Sequence, residues 1–241
     1  MKAKACFLYQ IFDLRWAVLI YYFSIFCLTL LANYSVITLM ASTSTGATTE
    51  EHNVIMSGIT SSSAIFICIV GLNSFTENFR FSLQNGVSRK TVLRAFTVAL
   101  LSCALLMGVF DALVAPALQR LFHYDPLMQL IYARWSIAAS MLWNVLLYCT
   151  GAMFGLFLGS LYYRMSKVQK IVVSIGVPAL LCVVFPLVDT LLLHGQLTDA
   201  IGTLLQALFG TYTASLLSLL ALSLLFCALG HLCARRVPVH E

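Results

Sequence analysis

Apolar stretches long enough to cross a lipid bilayer recur along the whole chain, and no other feature restricts its fold as tightly. A helix needs roughly 20 residues to traverse a hydrocarbon core about 30 Å thick. The sequence offers six windows of that order: residues 16–41, 54–75, 93–115, 137–162, 171–193 and 201–233, the last long enough to tilt. Within hydrocarbon every backbone N–H and C=O must find its partner inside the protein, so these windows predict an all-α polytopic membrane protein with six transmembrane helices. The connections are too short to hold a soluble domain, which makes residues 1–241 a single transmembrane domain. With 61% of residues hydrophobic and only 10% charged, a water-soluble fold would lack the polar surface to cover itself.

Charge orients these spans. If the N-terminus is cytoplasmic, all of the fourteen Lys and Arg residues except Arg120 and Arg134 fall on the cytoplasmic side, so the positive-inside rule predicts that both termini are cytoplasmic. The net charge of +5 then meets anionic headgroups and gives no reason to expect nucleic acid. Residues 1–15 mix Phe7, Leu8, Ile11 and Phe12 with Lys4, Gln10 and Asp13, the pattern of an interfacial helix on the inner leaflet. Asp13, Arg15 and the poor cleavage site at Leu39-Met40-Ala41 argue for an uncleaved first span. On the outer side, residues 116–136 combine Leu118, Leu121, Leu127, Leu130 and Tyr132 with Arg120, Asp125 and Arg134, which predicts one or two short helices at the interface.

One polar stretch interrupts this pattern: TENFRFSLQNGVSRKTVLR, Thr76 to Arg94, with residues 76–92 forming the connection between the second and third spans. Asn85-Gly86 followed by Val87-Ser88 places a helix stop directly before a helix start. Gly86 tolerates the left-handed position that closes one helix, and the Ser88 hydroxyl can cap the next. Arg89, Lys90 and Arg94 then occupy the first turns of a helix, where the macrodipole disfavours cations by a few tenths of a kcal/mol each. Headgroups account for those cations. They leave unexplained Phe79, Phe81 and Leu83 interleaved with Glu77, Arg80 and Gln84, a mixture that offers apolar knobs and charges to a protein surface. A helical pair between Glu77 and Arg80 is the plainer use of those two charges.

E-N-F-R-F-S-L-Q-N-G-V-S-R-K-T, between spans two and three of a six-span chain, resembles the coupling segment of permease subunits of type-2 ATP-binding-cassette (ABC) exporters, particularly the small bacterial ones. The resemblance covers the topology and about fifteen residues of motif. It implies that Glu77, Phe79, Arg80, Phe81, Gly86, Ser88 and Arg89 couple the spans to a separate cytoplasmic ABC ATPase, present in two copies. It also implies a second permease copy or a related permease, in a bacterial plasma membrane. ATP and Mg would be bound by the partner ATPase, with no cofactor on this chain. The absence of a G-x-x-x-x-G-K-[ST] phosphate loop agrees with a transport subunit that is not itself an enzyme. The apolar spans favour an amphipathic or hydrophobic substrate, a peptide, lipid or drug-like molecule. An alternative is a non-transporting membrane sensor or assembly factor whose basic connection binds a cytoplasmic partner.

Other residues divide between packing and function. Gly151, Gly155 and Gly159 repeat at a spacing of four and permit close helix approach, within the bundle or at a subunit interface. Asn33, Asn144 and Gln206 are candidates for a translocation path, although hydrogen bonding between helices is the commoner use of such residues. Asp111 and Asp189 would suit an intramembrane aspartyl hydrolase only with a G-x-G-D pattern, which is missing; a structural hydrogen bond or interfacial placement accounts for them. No H-E-x-x-H or C-x-x-C occurs, so neither a metal site nor a disulfide framework is expected.

Overall fold

A computed structural model describes residues 2–42, 50–74, 77–122, 126–132, 136–180, 186–187 and 196–235, and the regular elements among them are helical. They are α1 (Lys2–Ser42), α2 (Glu50–Ser74), α3 (Glu77–Gln84), α4 (Arg89–Phe122), α5 (Leu127–Tyr132), α6 (Ile137–Arg164), α7 (Lys167–Ala179), α8 (Gln196–Phe209) and α9 (Tyr212–Arg235). Four contain segments long and apolar enough to cross a membrane: Cys6–Leu28 in α1, Arg89–Arg120 in α4, Ile137–Arg164 in α6 and Tyr212–Ala234 in α9. Gly58–Ser74 in α2 is a shorter apolar helix. The fifth expected window, 171–193, begins in α7, and its residues 181–185 and 188–193 lie outside those described.

Several boundaries differ from expectation. Residues 1–15 are not a separate interfacial helix: α1 runs unbroken for 41 residues, because neither Gly nor Pro occurs between Lys2 and Ser42 to end it. The helix of the third window starts four residues earlier, on the Ser88 cap, and continues through Pro116 to Phe122. Residues 116–122 are therefore the last turns of α4, and among the described residues of the outer segment α5 is the one distinct short helix. The sixth window is two helices. The Gly210 amide closes α8 by donating to the Gln206 carbonyl at 2.7 Å, and Thr211 opens α9 by accepting from the Ala214 amide at 3.3 Å.

The bundle is arranged around α6, which packs against α2, α4 and α9, while α1 lies along α4. Lipid tails are as apolar as leucine, so helices in a membrane associate through close packing and hydrogen bonds. Glycine supplies the close approach here. A Cβ on Gly155 would overlap the Cys68 carbonyl of α2, and one on Gly71 would come within 2.6 Å of the Ala152 carbonyl of α6. Gly108 of α4 meets the Val145 backbone in the same way, at 2.8 Å. Gly151 also faces α2, through the Ala64 carbonyl, so two of the three glycines singled out in α6 serve packing within this bundle. Gly159 is buried on the same helix.

Polar contacts fasten the end of the bundle that carries α5. Trp143 donates to Ser215 Oγ at 2.8 Å, Thr150 to the Leu219 carbonyl at 3.0 Å and Tyr132 to the Phe209 carbonyl at 2.9 Å. Met128 of α5 is buried beneath them, while Leu130 and Ile131 face outward.

The glycine contacts can be tested directly. Gly155→Ala should lower stability by about 1–3 kcal/mol, because backbone on both sides prevents relaxation. Gly202→Ala, where nothing lies within 4 Å, should leave stability unchanged or raise it by up to about 1 kcal/mol. Thermal unfolding in detergent compares the two, and equal midpoints would show that α2 and α6 are not in tight contact.

Candidate functional site

The polar connection singled out in the sequence forms a closed elbow. Ending α3, Gly86 adopts φ 70° and the Val87 amide reaches back to the Ser82 carbonyl at 3.2 Å, the Schellman closure for which a residue without Cβ is best suited. Asn85 Nδ2 adds a bond to the Phe81 carbonyl at 2.9 Å. Ser88 then begins α4: its hydroxyl accepts from the Thr91 amide at 3.4 Å and lies 2.7 Å from Thr91 Oγ1. Stop and start sit back to back, so no slack loop separates α3 from α4.

Side chains lock the elbow onto the bundle. Phe79, read in the sequence as part of a partner-facing surface, is turned inward: it is 1% exposed and packs edge-on against Tyr163 at the end of α6, ring centroids 5.8 Å apart. The helical period explains this correction, since only one face of so short an amphipathic helix can meet the bundle and Phe79 and Ser82 share it. Phe81 lies on the other side, 49% exposed and stacked on Tyr9 of α1 at 5.4 Å. Ser82 is buried with its hydroxyl 3.7 Å from Cys6 Sγ, and Gln10 Nε2 donates to Ser74 Oγ at 3.2 Å. The first turns of α1, the end of α2 and the end of α6 thus hold α3 from three sides.

The outward-facing residues described include Phe81, Gln84, Asn85, Gly86, Ser88, Lys90 and Arg94, with Arg89 half-buried. The side chains of Glu77 and Arg80 lie outside the described residues, as do those of Asn33 and Asp189. Of the other two residues considered for a translocation path, Asn144 is buried in α6 and Gln206 is exposed on α8, so they occupy different environments.

A second polar site lies inside the bundle. Asp111 of α4 receives hydrogen bonds on both carboxylate oxygens, from Tyr22 of α1 at 2.8 Å and from Tyr148 of α6. The neighbouring Tyr21 hydroxyl sits 3.0 Å from both Ser62 Oγ and Ser63 Oγ of α2. Tyr148 and Ser63 are fully buried. Sequence reasoning singled out Asp111 but not these partners. The available signal was a set of tyrosines in otherwise aliphatic runs, each needing somewhere to put a hydroxyl. Each carboxylate oxygen faces a donor, so the group acts as a knot joining three helices. Among the described residues no cluster of His, Cys, Asp and Glu could hold a metal.

Replacing the carboxylate separates knot from active group. Asp111→Leu strands the Tyr22 and Tyr148 hydroxyls, and stability should fall by about 1–3 kcal/mol for each. Asp111→Asn keeps an acceptor for one tyrosine and should cost about half as much. Thermal unfolding of both variants measures the difference, and wild-type midpoints in both would remove the structural role. No family model, curated protein or solved structure matches this chain, so a functional reading rests on these residues and contacts.

Proposed function

We propose that the chain is the transmembrane subunit of an ABC exporter, moving an amphipathic or hydrophobic substrate outward from a bacterial plasma membrane. The engine is a separate cytoplasmic ATPase, two copies of which bind ATP and Mg and dock on the elbow. A second permease copy, or a related one, completes the path. In this reading both termini and the elbow face the cytoplasm, where the positive-inside rule puts twelve of the fourteen Lys and Arg residues.

The observation that carries the proposal is the way the elbow is built. A connection that merely crosses between two helices needs no buried anchor, yet Phe79 is sunk against Tyr163 while Phe81 and the Lys90 and Arg94 cations remain outward-facing. Caps closed on both sides of Gly86 make α3 and α4 move as one piece. A push on the outward face is therefore delivered to α4, a continuous helix of 34 residues, and through Phe79 to α6, without being absorbed by a loop. That is the mechanical property a coupling element requires. Phe79 serves as its anchor and Phe81, Gly86, Ser88 and Arg89 as its docking surface, with Glu77 and Arg80 on the same short helix.

Charge reversal tests the docking. The chain purified from membranes of its native host should bring with it a polypeptide carrying a phosphate loop, identified by mass spectrometry and by ATP hydrolysis in the eluate. Arg80→Glu combined with Arg89→Glu should reduce that recovery by about tenfold or more, as expected when charged contacts at an interface become repulsive, while membrane insertion is unchanged. Undiminished recovery would mean that the elbow is not the docking surface. Recovery of a partner with no phosphate loop would favour a sensor or assembly factor.

A further inference from the structure

A groove of about 510 Å³ runs between α1 and α4, within the range of roughly 300–1,000 Å³ typical of ligand sites. We infer that it binds one acyl chain of an anionic phospholipid, with Arg15 receiving the phosphate. The inference needs only that the bundle sits in a bilayer, and it stands independently of the export reading.

Length supports an acyl chain. The groove is lined from Ile11 to Tyr22 on α1 and from Ala99 to Phe110 on α4. At 1.5 Å per residue either wall is about 16 Å long. That is close to half of a hydrocarbon core about 30 Å thick, the depth of one leaflet. The two helices run in parallel, since Tyr22 meets Asp111 and Phe110 at one end while Cys6 lies beside Ser82, just before α4 starts, at the other. A lipid of the leaflet at the elbow end can therefore lie along the groove from headgroup to chain terminus. Leu19 and Leu106 are 59% and 68% exposed on its lips, so a chain can enter sideways from the bilayer.

Chemistry selects the headgroup. Most of the wall is hydrocarbon, and its hydroxyls are engaged: Ser102 donates to the Val98 carbonyl at 2.8 Å and Tyr22 to Asp111. Among the described residues, Arg15 is the only charged side chain in the lining. Its guanidinium lies 3.3 Å from the centroid of Phe12, one turn nearer the elbow end, so the charge reaches back toward the headgroup region as a snorkelling arginine does. There it offers a planar donor fork suited to a phosphate. Lys90 and Arg94, exposed at the start of α4, add positive charge at the same end. Asp13, the nearest acid in sequence, is two residues from Arg15 and so about 200° round the helix. A zwitterionic headgroup would bring its own cation into this field, whereas phosphatidylglycerol would not.

Native mass spectrometry of the full chain, given equal amounts of phosphatidylglycerol and phosphatidylcholine with matched acyl chains, tests the site. One phosphatidylglycerol should be retained in preference to phosphatidylcholine by about tenfold, the scale of keeping one like charge, the choline cation, out of the field of Arg15, Lys90 and Arg94. Arg15→Gln should abolish that preference, lowering phosphatidylglycerol retention more than phosphatidylcholine retention. Ser102→Trp, which fills the groove, should reduce retention of both; if that variant does not fold, Leu106→Trp on the lip takes its place. Equal retention of the two lipids, a preference unaffected by Arg15→Gln, or retention undiminished by a folded groove-filling variant would each overturn the proposal. Displacement by an equal concentration of oleate, a carboxylate without a phosphodiester, would overturn the phospholipid assignment.

Discussion

Backbone-to-backbone contact along α6 is the condition that the rest of this structure depends on. In water a bundle can be driven together by burying side chains, but in hydrocarbon that gain vanishes and close approach must replace it. Gly155 against Cys68, Gly71 against Ala152 and Gly108 against Val145 let α2 and α4 come near enough to α6 for dispersion to act over the whole crossing. Without those contacts the tyrosine hydroxyls of α1 and α6 would not converge on Asp111. The polar knot is thus a consequence of the packing, which it then reinforces by joining α1, which packs mainly against α4, to α6 through one carboxylate.

The same packing positions the elbow. α3 is only eight residues long and would not persist as an isolated helix. It is held because α2 delivers it next to the end of α6, where Phe79 finds Tyr163, and because the first turns of α1 supply Cys6, Tyr9 and Gln10 on another side. Gln10 is fully buried, and its Oε1 has no hydrogen-bond partner among the described residues. Such a group carries a desolvation penalty, at the junction where α1 meets the end of α2.

Local chemistry that was legible at one place was hidden at another. Asn85-Gly86-Val87-Ser88 reads as a helix stop and start because polar residues surround it, and the closure bonds follow that reading. Gly210-Thr211 uses the same chemistry to end α8 and begin α9, yet it sits inside an apolar run, where hydropathy averages the break away. At the N-terminus the error has the opposite sign: a drop in hydropathy near Asp13 and Arg15 suggests a boundary, but no residue there can end a helix, and α1 continues. Hydropathy reports which solvent a segment prefers, whereas helix ends are set by caps and by Gly and Pro.

The sequence by itself determined that the chain is helical and apolar enough to enter a membrane, where the elbow turns, and that α6 carries a face without side chains. Each of these follows from properties within a few residues of one another: hydropathy over a window, a left-handed glycine beside a capping serine, glycines spaced one turn apart. Only the tertiary structure decided that Phe79 faces inward and Phe81 outward, that Asp111 is held by Tyr22 and Tyr148 from 89 and 37 residues away, and that α1 and α4 leave an apolar groove with Arg15 in its wall. Those outcomes depend on which faces of separate helices meet, and that is settled by the fit of one helix surface against another, which no local window contains.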